Sequence, residues 1–435
     1  VTKAPIGLGL AFILFGCSNQ APSPDDAGGG GAATGGASST GGVSGTGGGS
    51  GTGPSGGAGT ENGGTSGDAG SAGSSSGGAG GAGGAGGSAP MWGIETRPTG
   101  QTCLKPATQN GAAMLLSASG CVDPADPKRP AATLIPYDVS SALWSDAADK
   151  QRFFALPDGA TIDVKDCTQN PASCAPVDMG GTYEDEGDWT FPIGTVFMKT
   201  FAFGEKLVET RLLVRAGEFD YWGYSYQWRD DQTDADLLAS NVDGYDAGIE
   251  GPNGTQIWHF PSRTQCLQCH TTPAGVSLGP ETSQLNADFA YPNGVTGNQL
   301  DTLEHIDVFT AALARRPAYP APDDASADLA ERARSYLQSN CAMCHRPGSN
   351  FASFDARFSI PFAEMNLCNA VPEKGDLGVA GALRIKPGDP ASSLVSLRMH
   401  IRDPMTQMPQ VGSNVVDSAG VGVIDQWITS LTGCP

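Results

Sequence analysis

The chain has 435 residues, 39% of them hydrophobic, and a formal net charge of -21 at pH 7. Such acidity excludes a nucleic-acid binder and a protein held by charge on an anionic lipid surface, and it predicts a well-solvated exterior. More than half of the 62 glycines fall in the first ninety residues, so sequence able to build a core begins only after them, with enough length for two or three domains.

Lys3 precedes an apolar run, Ile6 to Phe15, followed by Gly16-Cys17. A basic start, a short apolar run and a small residue predict an export signal over 1–17, too short to span a membrane. Leu14-Phe15-Gly16-Cys17 resembles the lipobox of bacterial lipoproteins. That resemblance implies that Cys17 becomes the first mature residue and carries lipid, and Ser18 in place of Asp implies an outer-membrane address. Residues 18–90 are Gly, Ser, Ala and Thr with scattered acids, and no Lys or Arg occurs between Lys3 and Arg97. They read as a flexible linker with a span of roughly 45–50 Å.

Residues 91–250 carry short aromatic and β-branched runs broken by Gly, Pro and Asp: Thr133 to Val139, Trp189 to Phe203, Thr210 to Arg215 and Tyr221 to Trp228. This spacing predicts an all-β domain, a sandwich or jelly roll. The aromatic run 221–228 is read as sheet core before it is read as a binding face.

From about 251 the pattern turns helical. Cys266-Leu267-Gln268-Cys269-His270 is a C-x-x-C-H run in a first region, 251–325. Leu303, Ile306, Phe309 and Leu313 predict a helix over 300–313. A second helix starts near Ser326, as N-cap, and runs into Cys341-Ala342-Met343-Cys344-His345, opening a second region, 326–435. A loop-rich stretch leads to Met408-Pro409, and a last apolar helix is expected over 417–431.

Two C-x-x-C-H runs behind an export signal predict two covalently bound haem c groups. Two thiols with two intervening residues reach two vinyl groups on one porphyrin edge, and the adjoining imidazole serves as proximal iron ligand. Zinc and redox-dithiol sites are the competing readings of C-x-x-C. The expected cofactor-binding residues are therefore Cys266, Cys269, Cys341 and Cys344, and the iron ligands include His270 and His345. Six further cysteines suggest disulfides, by proximity Cys103–Cys121, Cys167–Cys174 and Cys368–Cys434, although other connectivities are possible.

The order helix, C-x-x-C-H, long loop, Met-Pro, final helix resembles class I cytochrome c over 326–435. The resemblance implies a mainly α domain in which the first and last helices cross and Met408 is the distal ligand, ahead of Met405 and Met399. More widely, Trp189 to Phe203, Thr210 to Arg215, Cys266 to Asn286 and Arg334 to Ile428 resemble exported di-haem c-type cytochromes with an N-terminal β-domain. The implied function is electron transfer in the cell envelope by a lipid-anchored protein, periplasmic or surface-exposed, with redox proteins as partners. The alternative is a haem-dependent oxidoreductase, peroxidase-like or substrate-oxidising, whose β-domain binds substrate. No Met follows His270 before Met343, so His305 is the expected distal ligand of the first haem, ahead of His259.

Overall fold

The computed structural model describes residues 91–104, 108–167, 187–251, 254–349, 351 and 353–435. The expected signal (1–17) with Cys17, the expected linker (18–90) and Cys174 lie outside the described residues.

The framework is a six-stranded antiparallel sheet: β1 (Ile135–Tyr137), β2 (Asp149–Ala155), β3 (Val196–Phe203), β4 (Lys206–Arg215), β5 (Tyr221–Trp228) and β6 (Ala235–Leu237). The strands lie side by side in chain order. The expected antiparallel β-rich part is present, but a jelly roll needs Greek-key crossings, and this sheet is an up-and-down meander.

Side chains alternate between two cores. Phe153, Val196, Met198, Leu212 and Val214 enter one, and Phe154, Phe197 and Leu213 enter the other. Both faces are covered, which is why the strands read as apolar runs with only partial alternation. One cover contains Leu116 and Val122 and is closed by the Cys103–Cys121 disulfide. The other contains Trp189, Phe191, Leu285, Leu300, Leu303 and Phe309. The aromatic run of β5 is core, as expected. Tyr224, Tyr226 and Trp228 are buried, and the two phenols donate to the Gln109 and Ala113 carbonyls, each at 2.9 Å.

Strand structure continues past 250, where a helical pattern was expected. β7 (Tyr245–Gly251) and β8 (Gly254–Phe260) form a hairpin, and Trp258 and Phe260 pack on Phe201 and Val208. The helices are α1 (Arg263–Cys269), α2 (Gln299–His305), α3 (Leu329–Asn340), α4 (Leu394–His400) and α5 (Ser418–Ser430), with 3-10 turns and a single helical turn at 282–285 besides. The two C-x-x-C-H regions are thus loop-rich and not mainly α. α2 stops at His305, short of Leu313, because Asp307 takes a left-handed φ of 52° and the next residues run extended beside Ile162. The Ile162 amide donates to the Val308 carbonyl at 2.8 Å, and the Thr310 amide to the Ile162 carbonyl at 2.9 Å. The N-cap of α3 is Asp328 and not Ser326. Its Oδ1 accepts from the Ala330 and Glu331 amides at 2.9 and 3.1 Å.

α3 and α5 pack together through Ala333, Tyr336, Leu337, Val421, Ile424, Trp427 and Ile428. Gly420 permits the approach: a Cβ there would lie 2.1 Å from Cε2 of Tyr336. A disulfide joins Cys368 to Cys434, and Cys167 is also disulfide-bonded. Among the described residues no helix is long and apolar enough to cross a membrane.

The described residues belong to one compact unit. Sheet and C-terminal region are joined by hydrogen bonds between the β1–β2 connection and the end of α3. Ser141 Oγ donates to the Ser335 carbonyl (3.0 Å), and Ser339 Oγ donates to the Ser141 carbonyl (2.8 Å). The Trp144 amide donates to Asn340 Oδ1 (2.7 Å), and Trp144 Nε1 to the Val415 carbonyl (2.8 Å). Asn340 also donates to the Ala142 and Tyr336 carbonyls and is only 4% exposed. Asn340→Ala should therefore cost about 1–3 kcal/mol, the penalty of buried polar groups left without partners. Urea denaturation measures it, and a change below about 0.5 kcal/mol would mean that this junction adds no stability.

Candidate functional site

Both C-x-x-C-H runs open onto a single cavity of about 1260 Å³. This exceeds the roughly 300–1,000 Å³ of an ordinary small-molecule pocket. The first run occupies α1, whose start is fixed by a capping box: Ser262 Oγ accepts from the Gln265 amide, and Gln265 Oε1 accepts from the Ser262 amide. The second run begins at Cys341, the C-cap of α3. α1 lies close on the sheet at Gly223 of β5, where a Cβ would come within 2.8 Å of Cys266 Sγ.

The two histidines are held alike. His270 Nδ1 bonds the Val276 carbonyl at 2.6 Å, and His345 Nδ1 bonds the Phe351 carbonyl at 2.9 Å. Each carbonyl belongs to the sixth residue downstream. A carbonyl on Nδ1 fixes the tautomer in which Nε2 carries a lone pair, and that is how ligating histidines are oriented. Burial pulls the pKa of His270 down to about 4 and also lowers that of His345, which keeps both rings neutral. The other three histidines are placed differently. His259 lines the cavity, but Nδ1 bonds Asp246 (2.7 Å) and Nε2 bonds Gln265 (3.1 Å). His400 bonds Asp425 at 3.0 Å. His305 is exposed, stacks on Trp92 with ring centroids 4.5 Å apart, bonds the Glu95 carbonyl and does not line the cavity. His305, the expected distal ligand of the first haem, thus lies away from the cavity that holds His270. α2 turns its apolar residues, and not its histidine, into the core.

Met408 lines the cavity together with His345. Its amide donates to the Arg398 carbonyl at 3.0 Å, which holds the loop against α4. Met399 is 4% exposed in the C-terminal core, and Met405 stands at the rim, 84% exposed.

The four motif thiols are free. Among the described residues no three His, Cys, Asp or Glu side chains converge to hold a bare metal ion, so these thiols are not gathered as a Cys₄ zinc site. The influence of the Cys344 thiol, helped by the cations of Arg211 and Lys199, draws Cys269 down to about 7, and Cys344 is raised in turn. Burial pushes Cys341 up to about 12 and also raises Cys266.

One part of the site was not read from the sequence. Arg152, Lys199 and Arg211 sit opposite one another on β2, β3 and β4, forming a row of cations across the cavity face of the sheet. Like charges so placed repel, and each needs a reason to stay. Arg152 pairs with Asp138. Arg211 is gripped by the fully buried Glu209 through bonds of 2.8 and 2.7 Å, and the same carboxylate accepts from Ser225 Oγ (2.6 Å) and Trp258 Nε1 (3.0 Å). The Lys199 ammonium has no hydrogen bond or ion pair among the described residues. Burial and its cationic neighbours pull its pKa down to about 7. In all, eight Lys or Arg and five Asp or Glu side chains line the cavity of a strongly acidic chain. The register between β2, β3 and β4 was the missing signal, since the three residues are far apart in sequence.

No family model, curated protein or solved structure matches the chain.

The cavity fits haem on three counts: its size, its apolar rim (Phe219, Leu267, Phe351 and Met405 are exposed there) and its surplus of cations, since each haem brings two propionate carboxylates. The close approach of α1 to the sheet gives a direct test. Gly223→Ala should cost about 1–3 kcal/mol, because the new methyl drives Cys266 off the sheet. Gly297→Ala, with nothing within 4 Å of the added Cβ, should change stability by less than about 0.5 kcal/mol. Equal denaturant midpoints for the two variants would contradict the packing described.

Proposed function

We propose that the chain is a di-haem c-type cytochrome that transfers electrons in the cell envelope, anchored by lipid at Cys17 and exchanging electrons with redox proteins. The carrying observation is the matched pair of imidazoles. Each follows a C-x-x-C run, gives Nδ1 to the carbonyl six residues on, and lines the common cavity. Cys266 and Cys269 with His270 would hold one haem. Cys341 and Cys344 with His345 and Met408 would hold the other, in the manner of class I cytochrome c. Haem iron supplies one-electron chemistry when bound, and a Met axial ligand raises its potential. The residues around it keep both imidazoles neutral, shield the site with apolar side chains and present cations to carboxylates.

A second reading, a haem-dependent oxidoreductase, is favoured by one observation. Both ring nitrogens of His259 are engaged and His305 lies elsewhere, so among the described residues no histidine faces His270 as a sixth ligand. Carbon monoxide and peroxide decide between the readings. An electron-transfer protein binds neither at either haem, and rapid peroxide turnover by the wild type would promote the enzyme.

Protein matured in the periplasm should keep two haems through acid-acetone extraction. Replacing Cys266 and Cys269 together by Ala should halve the haem content, and so should replacing Cys341 and Cys344. A colourless protein with stoichiometric zinc would refute the assignment. Met408→Ala should abolish the weak far-red charge-transfer band of ferric His/Met haem and lower that haem's potential, whereas Met405→Ala should do neither. The reverse pattern would move the ligand to Met405. His305→Ala should leave both haem spectra unchanged, and a new high-spin signal would restore His305 as a ligand.

A further inference from the structure

Asp146 lies in the β1–β2 connection, in a tight turn. The Ala148 amide donates to the Ser145 carbonyl at 2.9 Å, and Asp146 and Ala147 both take left-handed φ angles, 50° and 63°. Such a turn ordinarily places Gly, Asn or Asp at its two central positions, and Ala there is strained. Strain of this kind persists only where surrounding contacts hold it. The contacts here come from far along the chain. Gln256 Nε2 of β8 donates to the Asp146 carbonyl at 2.7 Å. Asp146 is only 2% exposed, and its Oδ1 accepts from the Val415 amide at 2.8 Å. The Val415 carbonyl accepts from Trp144 Nε1 at 2.8 Å, and Asn414 Nδ2 donates to the Ile257 carbonyl of β8 at 3.4 Å. Val415 is thus held at both its amide and its carbonyl by the β1–β2 connection.

Val415 belongs to the segment between α4 and α5, which carries Met408 and contains neither helix nor strand. Inside that segment the buried Ser413 donates Oγ to the Pro409 carbonyl at 2.8 Å, and Gln407 Nε2 donates to the Ser413 carbonyl at 3.2 Å. Both neighbours of Met408 are therefore tied to Ser413, two positions before Val415. The Met408 amide is tied in the other direction, to Arg398 of α4. Trp144, Asp146 and Met408 line the same cavity. Resting on the reading of Met408 as an axial ligand, we propose that Asp146 is a positioning residue: by gripping Val415 it lets the β-sheet hold Met408 at the second haem. The sheet thereby sets how firmly the sulfur stays on iron. With the grip lost, the segment is free to shift, and an added ligand competes more easily for the sulfur's place.

The test is imidazole titration of full-length, haem-loaded ferric protein, followed at the far-red charge-transfer band that reports His/Met haem. Asp146→Gly keeps the left-handed turn and removes the acceptor. It should bind imidazole about tenfold more tightly than wild type, because the Val415 amide loses its partner. Asp146→Asn keeps an oxygen for that amide and should match wild type to within about twofold. Wild-type affinity in Asp146→Gly, even with a lowered denaturant midpoint, would reduce Asp146 to a structural role and overturn the proposal, leaving Met408 as ligand intact. Equal gains in the Gly and Asn variants would overturn it as well. Should Asp146→Gly fail to fold, Trp144→Phe decides, since it loses the Nε1 donor to the Val415 carbonyl: tighter imidazole binding supports the grip, and no change refutes it. A wild type loaded with haem but lacking the band would refute Met408 as ligand and the proposal with it.

Discussion

The placement of the two C-x-x-C-H runs depends on the hydrogen bonds that join Ser141 and Trp144 to the end of α3. Asn340 is the residue immediately before Cys341, and it is buried with its amide group bonded at both ends. A buried amide tolerates little displacement, because each lost partner costs on the order of 1–3 kcal/mol. The start of the second motif is thereby referenced to the connection between β1 and β2. The first motif is referenced to the same sheet through Gly223, where only a hydrogen atom separates strand from helix. The sheet acts as a jig for both.

The cavity face of the sheet is organised in rows. Phe154, Phe197, Leu213 and Gly223 form one row, and Arg152, Lys199, Arg211 and Ser225 form the next. The apolar row continues into core, while the charged row looks into the cavity. Glu209 makes the second row tenable. A fully buried carboxylate with four donors fixes the Arg211 guanidinium without neutralising its neighbour Lys199. The result is positive potential on the inside of a protein whose outside is strongly negative, an arrangement that draws carboxylates inward.

Much of this was legible in the sequence, and the failures share a cause. The strands at Trp189 to Phe203, Thr210 to Arg215 and Tyr221 to Trp228, the helices ending in Asn340 and Ser430, and the Cys103–Cys121 and Cys368–Cys434 bridges follow from local pattern and proximity. The β7–β8 hairpin was missed because Trp258, His259 and Phe260 are strand only by virtue of pairing with 245–251. The helix over 300–313 was overdrawn because Phe309 fits a helical period yet runs extended beside Ile162, more than a hundred residues earlier. The shorter helix presents His305 to Trp92. The row of cations was invisible for the same reason. Non-local pairing, and not composition, decided each of these.

The bridge between Cys368 and Cys434 closes a loop of 66 residues that contains Met408 and both C-terminal helices, α4 and α5. Such a cross-link acts mainly on the unfolded chain, whose freedom it reduces by on the order of 4 kcal/mol. The stretch that carries Met408 can therefore be long and poor in regular structure and still return to one place, because its two ends are fastened to each other.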